Sequence, residues 1–472
     1  MKKSLIVAGA AALCISFAAM AADPIGTRPS DRKAREILSK VVSMPTQIGN
    51  DKVPEMAEYL AGEFRAAGIP ADDVKVVPFT FPDDRTATLV VRYRGDGRGG
   101  KPILLMAHMD VVTAKREEWE RDPYQLIEEE DFFFGRGSYD NKAGLAAITA
   151  TVLRLKAEGF KPKRDLIVYF SGDEETSQRT TVEMVRDHRD LIDAEFALNS
   201  DAGGGTLDDD SGEPLFYTLQ AAEKTYADFS LTVRNPGGHS SMPRADNAIY
   251  ELAAALTKVQ GFSFPVMSNE ITIASFRATG KTTPGELGAA MTKFADNPED
   301  AAAAAVIAAS PEYIGSTRTT CVATELAGGH ALNALPQTAS ANVNCRIFPG
   351  VKVDAVRDTL QQVVGDGVEI MQVGEAMSSD PSPLRSDVTG AVSRSVLKLY
   401  PGVETIPSQA SGATDGVVFR AAGIPTYGVD GTFIRRKDDF SHGLNERVPA
   451  AGFYKDLDFW YFLLKDLAGR GK

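Results

Sequence analysis

Apolar residues recur along this chain with two spacings, and the points where the spacing switches divide it into elements. "DKVPEMAEYLAGEFRAAG" repeats its apolar positions every three or four residues and stops at Gly68, which predicts a helix. "TATLVVRYRG" and "KPILLMAHMD" are short apolar runs and predict strands. "NKAGLAAITATVLRLKAEG" predicts a long helix closed by Gly159, followed by a strand in "DLIVYFSG", a helix in "TTVEMVRDHRDLI" and a strand in "EFALNSD". Such alternation predicts an α/β layer with a largely parallel core sheet.

From about Lys224 the texture changes. "TYADFSLTVRNPGGHSSMP" predicts a strand and turn, and "ADNAIYELAAALTKVQ" a helix. "NPEDAAAAAVIAAS" predicts a second helix, started by Asn297 and Pro298. Two alternating strands follow, joined by a loop rich in Gly, Asn and Pro. After the Pro/Ser-rich "SSDPSPLRSD" the helix-strand alternation resumes and ends in the amphipathic "AAGFYKDLDFWYFLLKDLAG". The expected plan is an α/β domain built from residues 22–223 and 379–472, interrupted by an α+β domain at 224–378.

The first 21 residues hold two lysines, an apolar stretch too short for a membrane span, and Ala19 and Ala21 placed as a cleavage signal. They predict a secretory signal peptide, a periplasmic or secreted protein, and no membrane attachment after cleavage. Losing Lys2 and Lys3 takes the formal charge from −13 to about −15, which argues against nucleic acid and anionic membranes as partners. Cys321 and Cys345 then flank the two alternating strands; a disulfide and a pair of free thiols both fit.

Candidate chemistry lies where apolar strands end. "ILLMA" runs into His108-Met109-Asp110, "FFFGRGSY" into Asp140, "LIVYFS" into Asp173-Glu174-Glu175 and "FALNS" into Asp201. The carboxyl ends of strands in an open α/β sheet form the ligand crevice, so these groups are expected on one edge, and a metal would explain their convergence. Asp110, two residues from His108, is placed for its carboxylate to accept the second imidazole N–H and orient the ring. Glu174 and Glu175 point different ways in extended backbone, so one can bind metal while the other serves as base. Asp173 and Asp140 also suit helix N-termini. His442 lies in a polar loop and His239 in a Gly-rich turn of the inserted region.

Taken in order, "LLMAHMDVV", "SYDNKAG", "SGDEETS", "NSDAGGG", "PGGHSSMP", "ALNALPQTASANVNCRIFPG" and "SHGLNERVP" resemble peptidase family M20, over about residues 33–465. The resemblance implies a three-layer catalytic domain with a mixed, mostly parallel sheet, and an inserted ferredoxin-like lid or dimerisation domain. It further implies two Zn2+ ions per subunit. Asp140 would bridge them, His108 and Asp201 would complete one ion, and Glu175 and His442 the other. Glu174 would be the general base and Asp110 the partner of His108, with a cis peptide after Asp140. His239, Asn333 and Arg346 would line the substrate side, His239 reaching a neighbour's site in a homodimer and Arg346 gripping a substrate carboxylate. Two departures stand out: Asn141 follows the bridging aspartate where an acid is usual, and Ala202 occupies a common glycine position.

The expected function is an exported di-zinc carboxypeptidase or dipeptidase acting on small peptides. The alternative within the fold is an N-acyl amino acid amidohydrolase, since both substrates present a carboxylate beside the scissile amide. A binding protein that had kept the fold without the chemistry would have lost a ligand or the base, and all five ligands and Glu174 are present.

Overall fold

The computed structural model describes residues 25–469, and the segment read as a signal peptide lies outside them. A ten-stranded mixed sheet organises the larger part of the molecule. At its centre Leu166–Ser171, Ile103–His108, Phe196–Asn199 and Thr426–Gly428 run parallel. "ILLMAH" and "LIVYFS" are buried at every position, as strands covered by helices on both faces must be. Arg85–Tyr93 and Pro214–Glu223 flank this group antiparallel. Lys142–Ala157 carries an almost continuous buried face and packs between Pro29–Val42 and the terminal helix Ala450–Gly469. Among the described residues no helix is long and apolar enough to cross a membrane.

A second sheet is wholly antiparallel, in the order Thr320–Gly328, Thr338–Ile347, Thr225–Arg234, Glu369–Val373. Helices Ala248–Gly261 and Val353–Val364 cover one face and close a separate core around Phe229, Leu252, Val343 and Leu360. Cys321 and Cys345 stand opposite each other in register and form a disulfide. The connection between their strands makes a two-residue bridge to Gly238–His239.

Three expectations are corrected. Phe132–Phe134 is not a strand of the large sheet; it joins Ile127–Glu129 and Arg447–Pro449 in a small one, so Asp140 enters the crevice from a turn. "TTVEMVRDHRDLI" is two helices, Arg179–Asp187 and Arg189–Ile192, broken at His188, whose backbone leaves the helical region. Between the predicted helices of the inserted region lie two more, Glu270–Thr282 and Gly285–Asp296. They build a small core with Ala301–Ala308 around Phe276, Met291 and Phe294. Glu270–Thr282 packs on strand Glu404–Ala410, and Ile271 joins the large core, so this excursion leans on the large sheet.

Candidate metal centre

The parallel strands deliver their C-terminal residues to one edge. His108 pairs in register with Ser171, the residue that precedes "GDEE", and Met106 with Asn199, two residues before Asp201. Gly172 turns the chain there: a Cβ would lie 2.3 Å from Thr86 Oγ1 and 2.4 Å from the Ala87 carbonyl oxygen, so a side chain is excluded.

His108 is buried, and its Nδ1 lies 3.0 Å from the Asp110 carbonyl oxygen. A carbonyl only accepts, so Nδ1 carries the hydrogen and the Nε2 lone pair faces the crevice. Nε2 lies 2.9 Å from Asp140 Oδ1 and 3.4 Å from Asp201 Oδ1. The Nδ1 hydrogen bond goes to the Asp110 carbonyl, while the Asp110 carboxylate stands 3.6 Å from Nδ1, within ion-pair distance of the ring, and also accepts the backbone N–H groups of Glu174 (3.1 Å) and Glu175 (3.0 Å), because the turn after Gly172 presents those donors to it.

On the other side, His442 Nε2 lies 2.9 Å from Glu175 Oε2 and 3.2 Å from Asp140 Oδ2. Its ring is about half exposed and its backbone has φ +61°, in the left-handed region that few non-glycine residues occupy. Two groups result, His108 with Asp140 and Asp201, and Asp140 with Glu175 and His442, each with its ligand atoms within 4.8 Å of one another. Asp140 belongs to both and turns one oxygen to each. The Asp140–Asn141 peptide is cis.

Charge in the crevice is unbalanced. Asp140, Glu175 and Asp201 are grouped with two histidines, Asp110, Glu174 and Asp415 lie close enough to act on the same charges, and Glu175 Oε1 is buried with no hydrogen-bond partner among the described residues. Burial opposes protonation of His108, but Asp201, Asp110 and Asp140 outweigh it and hold the ring's pKa well above its ordinary value. Hydrogen bonds to Asp140 and Glu175 push His442 up to about 10. Burial, with Asp201 beside it, pushes Glu174 far above the usual carboxylate range. Such a surplus of buried acids with inward-facing imidazole nitrogens fits two bound cations, and the mixed N/O donor set suits zinc.

Among the supporting residues Glu446, Asp415 and Gln178 had no clear sequence signal, whereas Asn141, Ala202 and Asp173 did. Buried Glu446 accepts the backbone N–H groups of Gly137, Tyr139 and Asp140 at 2.9–3.1 Å and pairs with Arg136 at 2.6 Å, so it fixes the turn that carries Asp140. Asn141 donates to the Ser200 carbonyl (3.1 Å) and accepts from the Ser200 hydroxyl (2.7 Å), tying Asp140 to Asp201's strand end. Ala202 is tolerated because Gly203, with φ +85°, makes the left-handed turn. The buried Asp173 carboxylate accepts from the Thr180 amide (3.1 Å) in the first turn of the following helix, the capping role open to it. Asp415 accepts from the Ser171 hydroxyl, and Gln178 donates to Glu174 Oε1 at 3.2 Å.

The three candidate substrate residues lie elsewhere. His239 and Asn333 are exposed neighbours in the short bridge, where the Ser240 N–H donates to the Asn333 carbonyl at 3.0 Å. No hydrogen bond or ion pair joins either to the acidic cluster. Arg346 lies over the Tyr226 ring at 4.7 Å and donates to the Ser411 carbonyl at 3.1 Å, linking the small sheet to the loop that leads to Asp415.

The family model "Peptidase family M20/M25/M40" matches residues 104–466, a span that takes in every residue of the two metal groups. The chain belongs to this family. Similar proteins include a probable carboxypeptidase S-like protein of Dictyostelium discoideum, 26% identical over 402 residues, 80% of this chain and 74% of that one. An N-fatty-acyl-amino acid synthase/hydrolase of Homo sapiens is 27% identical over 379 residues, 78% of this chain and 74% of that one. The crystal structure of an M20 family metallo-carboxypeptidase from Sulfolobus solfataricus shares the fold, with a TM-score of 0.70 at 19% identity, covering 93% of this chain and 100% of that one. This M20 chain is a metal-dependent hydrolase.

Proposed function

We propose that the chain is an exported di-zinc exopeptidase that releases amino acids from small peptides carrying a free C-terminal carboxylate. The observation that carries this reading is the split of Asp140, with Oδ1 in the His108 group and Oδ2 in the His442 group. His108 and Asp201 would hold one cation, His442 and Glu175 the other, and Asp140 both. When bound, such a pair supplies Lewis acidity to the scissile carbonyl and lowers the pKa of water.

Glu174 has no cation of its own and a raised pKa, the property required of a group that takes a proton from the attacking water and returns it to the leaving amine. Asp110 holds the Glu174 and Glu175 amides and so fixes the base relative to the ligands. Burial of His108 and Asp110 excludes bulk water from one side, while exposed His442 leaves the other open to substrate. Arg346 would clamp the substrate carboxylate.

The small-sheet region would act as lid and dimerisation domain. Strand Thr320–Gly328 pairs on one side only and exposes Val322 and Leu326, an open apolar edge that a second copy would cover. In that dimer His239 and Asn333 would reach the partner's crevice and donate to the developing oxyanion.

A second reading, N-acyl amino acid hydrolysis, is favoured by the similarity to the N-fatty-acyl-amino acid synthase/hydrolase. Zinc-loaded wild type and Glu174→Ala, assayed on dipeptides, tripeptides and N-acetyl amino acids, separate the two. Release of free amino acids from unblocked peptides is expected, abolished in the variant. Turnover of blocked substrates alone would establish the amidohydrolase instead.

A further inference from the structure

At the junction between the sheets lies a cavity of about 430 Å³ that contains none of the metal-group residues. One wall is apolar, built by Phe262 and Phe264 after helix Ala248–Gly261 and by Leu360 of helix Val353–Val364. The other carries three cations, Lys224, Arg318 and Arg346. No described carboxylate lies within ion-pair distance of any of them. The acid in the lining, Glu312, is exposed and pairs with Arg436 at 3.5 Å.

Lys224 is 1% exposed, and its ammonium has only neutral partners, the Arg318 carbonyl at 3.0 Å and the Thr320 hydroxyl at 3.3 Å. Burial and the neighbouring Arg346 charge hold its pKa down to about 8. Among the described residues no hydrogen bond to the Arg318 side chain is seen, and its Nε is buried without a partner. A buried ammonium beside two guanidinium groups is costly unless an anion joins them. The size of the cavity is that of a small-molecule site.

We propose that this cavity binds a carboxylate carried on an apolar chain, with its head group among Lys224, Arg318 and Arg346 and its chain against Phe262, Phe264 and Leu360. Lys224 is the residue at which the chain leaves strand Pro214–Glu223 for strand Thr225–Arg234, so the ligand sits at the hinge between the sheets. Two sources share this chemistry: the carboxylate end of a substrate with an apolar side chain, or a free amphiphile.

Isothermal titration calorimetry of the zinc-loaded full chain with decanoate, hexanoate and decanol tests it. Decanoate is expected to bind at one per chain, with hexanoate weaker by about fourfold for each methylene lost from the wall. Lys224→Gln and Arg318→Gln are each expected to weaken decanoate about tenfold or more. Arg318 lies outside the cores, which keeps the test valid if the buried Lys224 variant fails to fold. Absence of decanoate binding, equal affinity for decanol, or affinity unchanged in Arg318→Gln but lost on zinc chelation would overturn the proposal; the last would place decanoate on the metal cluster. Inhibition of peptide hydrolysis distinguishes the sources: competitive inhibition identifies the cavity with the substrate's carboxylate end, non-competitive inhibition with a free amphiphile. The substrate source rests on the proposed role of Arg346 as carboxylate clamp, whereas decanoate binding is read without catalysis, so failure of one is distinguishable from failure of the other.

Discussion

The two metal groups use similar donors and are held in different ways. His108 and Asp201 lie at the ends of buried central strands, and the His108 ring is locked by the Asp110 carbonyl. His442 sits on a loop with its ring half exposed, and no partner for its Nδ1 is seen among the described residues. A ligand on a packed strand loses little freedom when a cation binds, whereas one on an open loop is ordered at that moment. The difference teaches that the His108 position should bind first and release last, and that His442 is the exchangeable side.

The largest expected effect breaks both halves at once. Asp140→Ala removes the shared carboxylate, and metal analysis after dialysis should show both equivalents lost together with activity. Glu174→Gln should leave metal content unchanged and lower kcat by roughly 10²- to 10⁴-fold, read by steady-state kinetics beside elemental analysis. Equal metal loss in Glu174→Gln would reassign that residue as a ligand.

The comparison sharpens through the turn that both halves share. Glu446→Gln leaves Arg136 buried without its charge partner and loosens three backbone N–H contacts to the Asp140 turn. The variant should lose roughly 3–5 kcal/mol of stability by denaturant titration and bind metal about 10- to 100-fold more weakly. Asn141→Asp should cost less, about 1–3 kcal/mol, because a carboxylate there meets the Ser200 carbonyl in place of a donated N–H.

The smallest effect is in pH, because solvent screens the half-exposed His442 ring. In the metal-free protein the His442 pKa is raised to about 10, so the stability its protonated ring contributes is fully present below about 6.5 and lost as pH rises through 10. Metal ligation requires the neutral ring, so zinc should erase this dependence and release protons on binding. Thermal unfolding of metal-free and zinc-loaded protein between pH 6 and 10.5 checks both signs.

Much of the crevice was legible because it lies at strand ends. "LIVYFS" followed by "GDEE" places acids where a parallel sheet opens, and the periodicity alone finds the edge. The sheet that precedes Asp140 is not legible in this way, because "FFF" looks like a core strand and its pairing with Arg447–Pro449 is far off in sequence. Glu446 was illegible for the same reason: in "NERVP" it resembles a surface charge, and its partners are some 300 residues away. Helix Glu270–Thr282 is rich in β-branched Ile and Thr, which weakens the helical signal; its cap, Asn269 accepting from the Thr272 amide, supplies what propensity does not. The role of Asp110 turned on which donors surround its carboxylate, and spacing cannot show that.

The most direct test is metal stoichiometry by elemental analysis of zinc-loaded wild type, His442→Ala and His108→Ala after dialysis against metal-free buffer. The account predicts two equivalents in the wild type, one in His442→Ala, and a larger loss in His108→Ala. One equivalent in the wild type, or two in His442→Ala, would contradict a pair of cations divided across Asp140.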